Sequence, residues 1–118
     1  MIGESKEIDA LITDWDSVQV EHVADGVKRQ MIVGQNVMMV RFTFDANLIT
    51  PVHSHHHEQM TLVVKGRVKF YIDGKEHIVS AGDVLHFPPY NEHGATMLDE
   101  EVVLIDIFSP IREDFMGN

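Results

Sequence analysis

With 118 residues, 44% hydrophobic and 24% charged, the chain holds enough sequence for one domain with a real core. It has no cysteine, which excludes disulfides, thiolate nucleophiles, iron–sulfur clusters and cysteine zinc sites. A formal charge of −10, no apolar run near the roughly 20 residues of a membrane span and no basic-then-apolar leader set aside nucleic-acid and membrane partners and point to a cytoplasmic protein.

Residues 1–30 read as an N-terminal arm with short strands, Ile8 to Ile12 being one candidate and a loose arm the alternative. From residue 31 to residue 110 the pattern is that of one barrel. Between Asn36 and Phe44 the residues alternate: Met38, Val40, Phe42 and Phe44 share one face, and Met39, Arg41 and Thr43 share the other. Leu62 to Val64 is a further apolar run, ended at Lys65-Gly66. Val68 to Ile72 runs into Asp73-Gly74, with Ile78-Val79 beyond it; Asp-Gly between apolar runs predicts a hairpin, because both turn positions take positive φ. Ser80 to Asp83 is another turn. Val84 to Phe87 is a brief strand stopped by Pro88-Pro89, and Val102 to Phe108 closes the series. The tail, residues 111–118, reads as a short helical turn or an unstructured end. Turns recur about every 8–12 residues and no long 3.6-residue apolar period intervenes, so the fold class is all-β, a small jelly-roll barrel in a single domain.

The chemistry concentrates in Pro51-Val52-His53-Ser54-His55-His56-His57-Glu58-Gln59. On a strand, His53 and His55 would point to the same side. With Gln59 and the distant His93 they make a set suited to a borderline divalent cation: Ni, Zn, Fe, Mn or Co. The plain alternative is two solvent-facing imidazoles, with Gln59 a hydrogen bonder in the barrel interior. His56 and His57 are spare donors, or one of them ligates in place of a neighbour; His22 and His77 read as surface residues.

The spacing resembles the first motif of the cupin family, G-x(5)-H-x-H-x(3,4)-E-x(6)-G. His53, His55 and Gly66 match in register, Gln59 stands where the family has Glu, and Ala46-Asn47 fills the stretch of the leading glycine. The second motif, G-x(5)-P-x-G-x(2)-H-x(3)-N, matches at Gly82, Pro88 and His93 and departs at Tyr90 and Met97. Within that family the glutamine variant, the stretch Gly26 to Gln30 and the run Asp106-Ile107-Phe108-Ser109-Pro110-Ile111-Arg112 are similar to the small pectin-degradation cupins of the KdgF group. The resemblance implies a cupin barrel and a metal held by His53, His55, Gln59 and His93. It also implies catalytic roles for Asp106, Phe108 and Arg112, and conversion of 4,5-unsaturated uronates to linear ketonic sugar acids. Arg41, Met60 and Tyr90 are candidate substrate contacts. Asp106 lies on an otherwise apolar face, so it needs a partner, a raised pKa or a pocket; pairing with Arg41 or Arg112 is the alternative to catalysis. The expected partners are a small acidic sugar and a second copy of the chain, since cupins commonly pair as homodimers. A metal-dependent dioxygenase and a non-catalytic binding module are the competing functions.

Overall fold

The strands follow from period-two burial, and the polar exceptions to that period mark one end of the molecule. A computed structural model describes residues 10–117. A 3-10 turn at Trp15–Ser17, capped by the Asp14 carboxylate, precedes ten strands. These are β1 (Glu21–Ala24), β2 (Val27–Val33), β3 (Met38–Phe44), β4 (Ile49–His53), β5 (Glu58–Lys65), β6 (Arg67–Ile72), β7 (Lys75–Ser80), β8 (Val84–Phe87), β9 (His93–Met97) and β10 (Val102–Ser109). A second 3-10 turn, Glu113–Phe115, ends the chain's regular structure. Two antiparallel sheets result, one ordered β1-β2-β3-β10-β5-β8 and the other β4-β9-β6-β7. Among the described residues no helix is long and apolar enough to cross a membrane.

The core lies between the sheets, built on Phe44, Val63, Val68, Phe70, Phe87, Met97, Val102 and Leu104. Each such side chain contributes about 1.5–3 kcal/mol on burial. The inner faces of β5 and β10 change character along their length. Val63, Leu104 and Val102 are apolar, whereas Gln59, Thr61 and Asp106 are polar and equally buried. That gradient gives the sandwich one polar end.

The Asp73-Gly74 hairpin is as the sequence predicts: φ is 49° and 84°, and Ile72 pairs with Lys75 across a two-residue turn. Asn47 and Tyr90, which stand where the two cupin motifs carry glycine, keep the glycine conformation at φ 65° and 66°. The backbone shape is thus retained without the residue that adopts it most cheaply.

β9 escapes the sequence reading, and β1, β2 and β4 are given no bounds by it. β2 pairs with β3 from Val27 to Val33, so the boundary drawn at residue 30 falls inside a barrel strand. Residues 10–14 form no strand, and the rest of the Ile8–Ile12 candidate lies outside the described residues. The larger sheet is two strands wider than its partner. Phe115, from the second 3-10 turn, packs with Met38, Val40, Phe108 and Phe42 against part of that excess width.

Candidate functional site

Cross-strand register assembles the site. His53, last in β4, pairs directly with His93, first in β9. An irregularity in β4 between Thr50 and His53 brings the Pro51–Val52 backbone onto Gly94, where a Cβ would sit 3.0 Å from Val52 Cα, so any larger residue would have to push that backbone back. On the opposite sheet Thr61 pairs with Asp106, and Gln59 with Phe108.

His53, His55 and His93 come together, with one ring nitrogen of each within 4.8 Å of the others. The shared face expected of His53 and His55 has a different cause from the one read in the sequence. β4 ends at His53, and His55 lies in the irregular segment after it, before the bend at His56 and His57, not on a strand. Each ring is oriented by its own backbone. Nδ1 faces a carbonyl in every case: Pro51 O at 3.0 Å for His53, His57 O at 3.1 Å for His55 and Asn91 O at 2.9 Å for His93. A carbonyl only accepts, so Nδ1 carries the proton and the Nε2 lone pair is left free. His93 Nε2 is buried with no hydrogen-bond partner. His55 Nε2 lies 3.0 Å from Gln59 Oε1, while the Gln59 amide nitrogen is committed to Thr61 Oγ1 at 2.9 Å. Two acceptors that close need a proton or a cation between them. Burial pushes His55 below its ordinary pKa, with Arg112 adding to the effect, and it pushes His93 down to about 4. A proton is therefore the poorer fit near neutrality, and these imidazoles can hold a metal ion.

Behind them lies a cavity of about 230 Å³, walled by Phe42, Phe44, Phe70, Met97, Leu104 and Phe108 and reaching His53, Gln59, His93, Asp106 and Arg112. Asp106 is 7% exposed and accepts a 2.7 Å hydrogen bond from Thr61 Oγ1, which closes a chain from Gln59 through Thr61 to Asp106. Burial pushes its carboxyl up to about 6; Thr61, Arg112 and Gln59 pull the other way. The salt bridge of Asp106 with Arg41 or Arg112, weighed from the sequence, is absent among the described residues. Arg112 instead forks onto Asp114, Nε to Oδ1 at 3.0 Å and Nη2 to Oδ2 at 2.7 Å. Its Cζ lies 4.9 Å from the Phe108 ring centroid and 4.2 Å from that of Phe115.

Three expected substrate contacts do not join this site. Arg41 lies on the outer face of β3 and donates to Gln30 Oε1 at 3.1 Å; Gln30 in turn holds the Trp15 and Val18 carbonyls, so this pair braces the N-terminal segment. Met60 alternates with the buried Gln59 and Thr61 and therefore faces outward, 49% exposed. Tyr90 is 70% exposed and contributes its backbone N–H, which donates to His55 O at 2.8 Å. His57 is buried but lies outside the imidazole trio; His56 stacks on it at 3.9 Å. Sequence reasoning missed Thr61 and Asp114. Thr61 stands two residues beyond Gln59 on the same strand face, a signal open to a strand-period reading.

Two facing antiparallel sheets, with three imidazoles at one end that could hold a metal ion, define a jelly roll of the cupin type. The chain belongs to the cupin family, whose domain matches residues 40–108. It is 36% identical over 103 residues to the pectin degradation protein KdgF of Dickeya dadantii (strain 3937), covering 86% of this chain and 94% of that one. Its fold is similar to that of an RmlC-like cupin from Shewanella frigidimarina NCIMB 400, with TM-score 0.84, 35% identity and coverage of 91% of this chain and 96% of that one. The structure of KdgF from Halomonas sp. is likewise similar, with TM-score 0.86, 28% identity and coverage of 91% and 99%.

Proposed function

We propose that this chain is a metal-dependent enzyme of pectin degradation that opens small 4,5-unsaturated uronates and tautomerises them to ketonic sugar acids. One observation carries the reading: three imidazoles gather with their Nε2 lone pairs free, and two of them, His53 and His93, line an aromatic cavity with a buried arginine and a carboxyl pushed up to about 6. The likeness to the Dickeya protein over most of both chains supports the substrate class.

In this reading His53, His55, Gln59 and His93 hold the divalent ion, one of Ni, Zn, Fe, Mn or Co. Bound there, such an ion supplies Lewis-acid polarisation of a sugar oxygen, and four neutral donors leave it the full 2+ charge. The remaining work falls to the chain's own side chains. Arg112 holds the substrate carboxylate through Nη1, the guanidinium nitrogen that Asp114 leaves free. Phe108 and the aromatic wall exclude water and pack against the ring. The reaction is an isomerisation. The bond from the anomeric carbon to the ring oxygen breaks, the anomeric hydroxyl gives up a proton, C4 gains one and C5 becomes a ketone; no electrons are lost or gained. Asp106, with its carboxyl near 6, moves the proton, and Thr61 fixes the direction of Oδ1. The exposed cross-strand row of Met39, Ile107 and Met60 on the outer face of the larger sheet supports the expected pairing with a second copy of the chain.

The test is incubation of metal-loaded protein with 4,5-unsaturated galacturonate while following the ultraviolet absorbance of its conjugated double bond. The absorbance falls faster than in the protein-free control, and Asp106→Asn removes the difference. An unchanged signal from folded, metal-loaded protein contradicts the proposal.

A further inference from the structure

Arg112 is nearly buried, and a buried guanidinium is useful only if its free edge points one way. Three contacts constrain it: the Asp114 fork, the Phe108 ring and the Phe115 ring. Phe115 is itself held from far away in the chain. Arg29, on β2, places its Cζ 4.7 Å from the Phe115 ring centroid and donates from Nη2 to the Phe115 carbonyl at 3.1 Å. Arg29 is in turn set by Glu21 on β1, Nε to Oε1 at 2.7 Å. Phe115 also meets Phe42 and Phe108 edge-on, at 6.1 and 5.8 Å. Arg29 pairs with Phe42 across β2–β3, so it occupies the inner face of the wide sheet, where the shorter sheet no longer covers it.

We propose that Arg29 and Phe115 are positioning residues for Arg112, so that the β1–β2 hairpin and the C-terminal turn together aim the anion-binding edge of the cavity. The assignment of that edge to a substrate carboxylate rests on the function proposed above; the positioning itself does not. A chain of contacts runs from Glu21 through Arg29 and Phe115 to Arg112, and every link is a directional one: an ion pair, a carbonyl hydrogen bond, a cation over a ring. Removing the Arg29 guanidinium frees both the ring and the carbonyl of Phe115. Arg112 then loses one of its aromatic walls while Asp114 remains, and its free nitrogen samples a wider range of directions. An anchor misplaced by about 1 Å is enough to weaken a bound geometry.

The experiment uses the zinc-loaded full chain and the variants Arg29→Gln, Arg29→Lys, Phe115→Leu and, as a control on the same strand, the exposed Lys28→Ala. The first readout is the arginine Nε–Hε signal of Arg112 in NMR, with its heteronuclear NOE. Wild type and Lys28→Ala show a rigid, protected Arg112. In Arg29→Gln and Phe115→Leu the signal moves toward that of Arg67, which is half exposed. Arg29→Lys, which keeps a cation over the ring, lies between and decides the matter if either other variant fails to fold. The second readout is turnover: KM for the unsaturated uronate rises about five- to tenfold in Arg29→Gln, the worth of one cation–π contact and one hydrogen bond, with kcat within about twofold. A rigid Arg112 in these variants overturns the positioning claim, as does an unchanged KM in an active enzyme. A wild type that turns over no uronate sinks the proposed function alone, because the NMR readout needs no substrate.

Discussion

The two walls of the cavity meet the same physical condition with opposite results. On the wall formed by β9 and the end of β4, burial lowers His93 to about 4, and His55, in the loop beside that wall, is pulled below its ordinary value. On the wall formed by β5 and β10, burial raises Asp106 to about 6. One low-dielectric space therefore keeps the bases uncharged, with their lone pairs available to a cation, and brings the acid to where it exchanges a proton near neutrality. The walls also differ in how they are held. The imidazoles are fixed by backbone carbonyls, one each, whereas Asp106 is fixed by a side-chain chain running through Thr61 to Gln59. The carboxyl wall should be the easier of the two to retune by mutation.

The largest expected effect breaks the imidazole wall. His93→Ala lowers metal affinity by more than the roughly 10–100-fold that loss of a ligand's hydrogen-bonding partner costs, and activity falls to background. Metal content after dialysis checks it. On the other wall, Asp106→Asn costs roughly 100- to 10,000-fold in turnover yet stabilises the fold at pH 7. The carboxyl titrates at 3.8 in the unfolded chain and at about 6 in the folded one, so ionisation opposes folding as pH rises through that interval. The gap corresponds to on the order of 3 kcal/mol, gained by the variant above pH 6 and vanishing by about pH 4. Urea titrations at several pH values read it. His93 has the opposite sign. Its folded value lies below the unfolded 6.5, so metal-free protein loses stability as pH falls from about 6.5 toward 4, and His93→Ala flattens that loss.

Thr61→Val tests the chain that holds the carboxyl wall together. The shape is kept, Gln59 and Asp106 each lose a partner, and stability drops by about 1–3 kcal/mol. The smallest effect is at Tyr90, where glycine relieves the φ of 66° and stabilises by up to about 1 kcal/mol with metal binding unchanged.

The imidazole wall was legible because its residues sit at motif spacings that the β register converts directly into neighbours, as with His53 and His93. The hairpin at Asp73-Gly74 was legible because positive φ is a local demand. Arg41 and Met60 show what alternation leaves open. It divides a strand into two faces but does not say which one turns inward, and one place along the strand separates Met60 from the buried Gln59 and Thr61. β9 was hidden because His93-Gly94-Ala95-Thr96-Met97 carries no run of strand-forming side chains; pairing with β4 and β6 makes it a strand. The partners of Arg112 were hidden in part because a short local turn, closed by the Phe115 N–H on the Arg112 carbonyl, brings the Phe115 ring over the guanidinium, and packing against the wide end of the larger sheet holds it there.

The claim beneath all of this is that the Nε2 atoms of His53, His55 and His93, together with Gln59, hold a single divalent cation. X-ray absorption at the metal edge of protein loaded with nickel or zinc tests it most directly. The account predicts one ion per chain with three imidazole scatterers in its shell, reduced to two in a His53→Ala variant. A shell without imidazole, or protein that retains no ion at one equivalent, contradicts it.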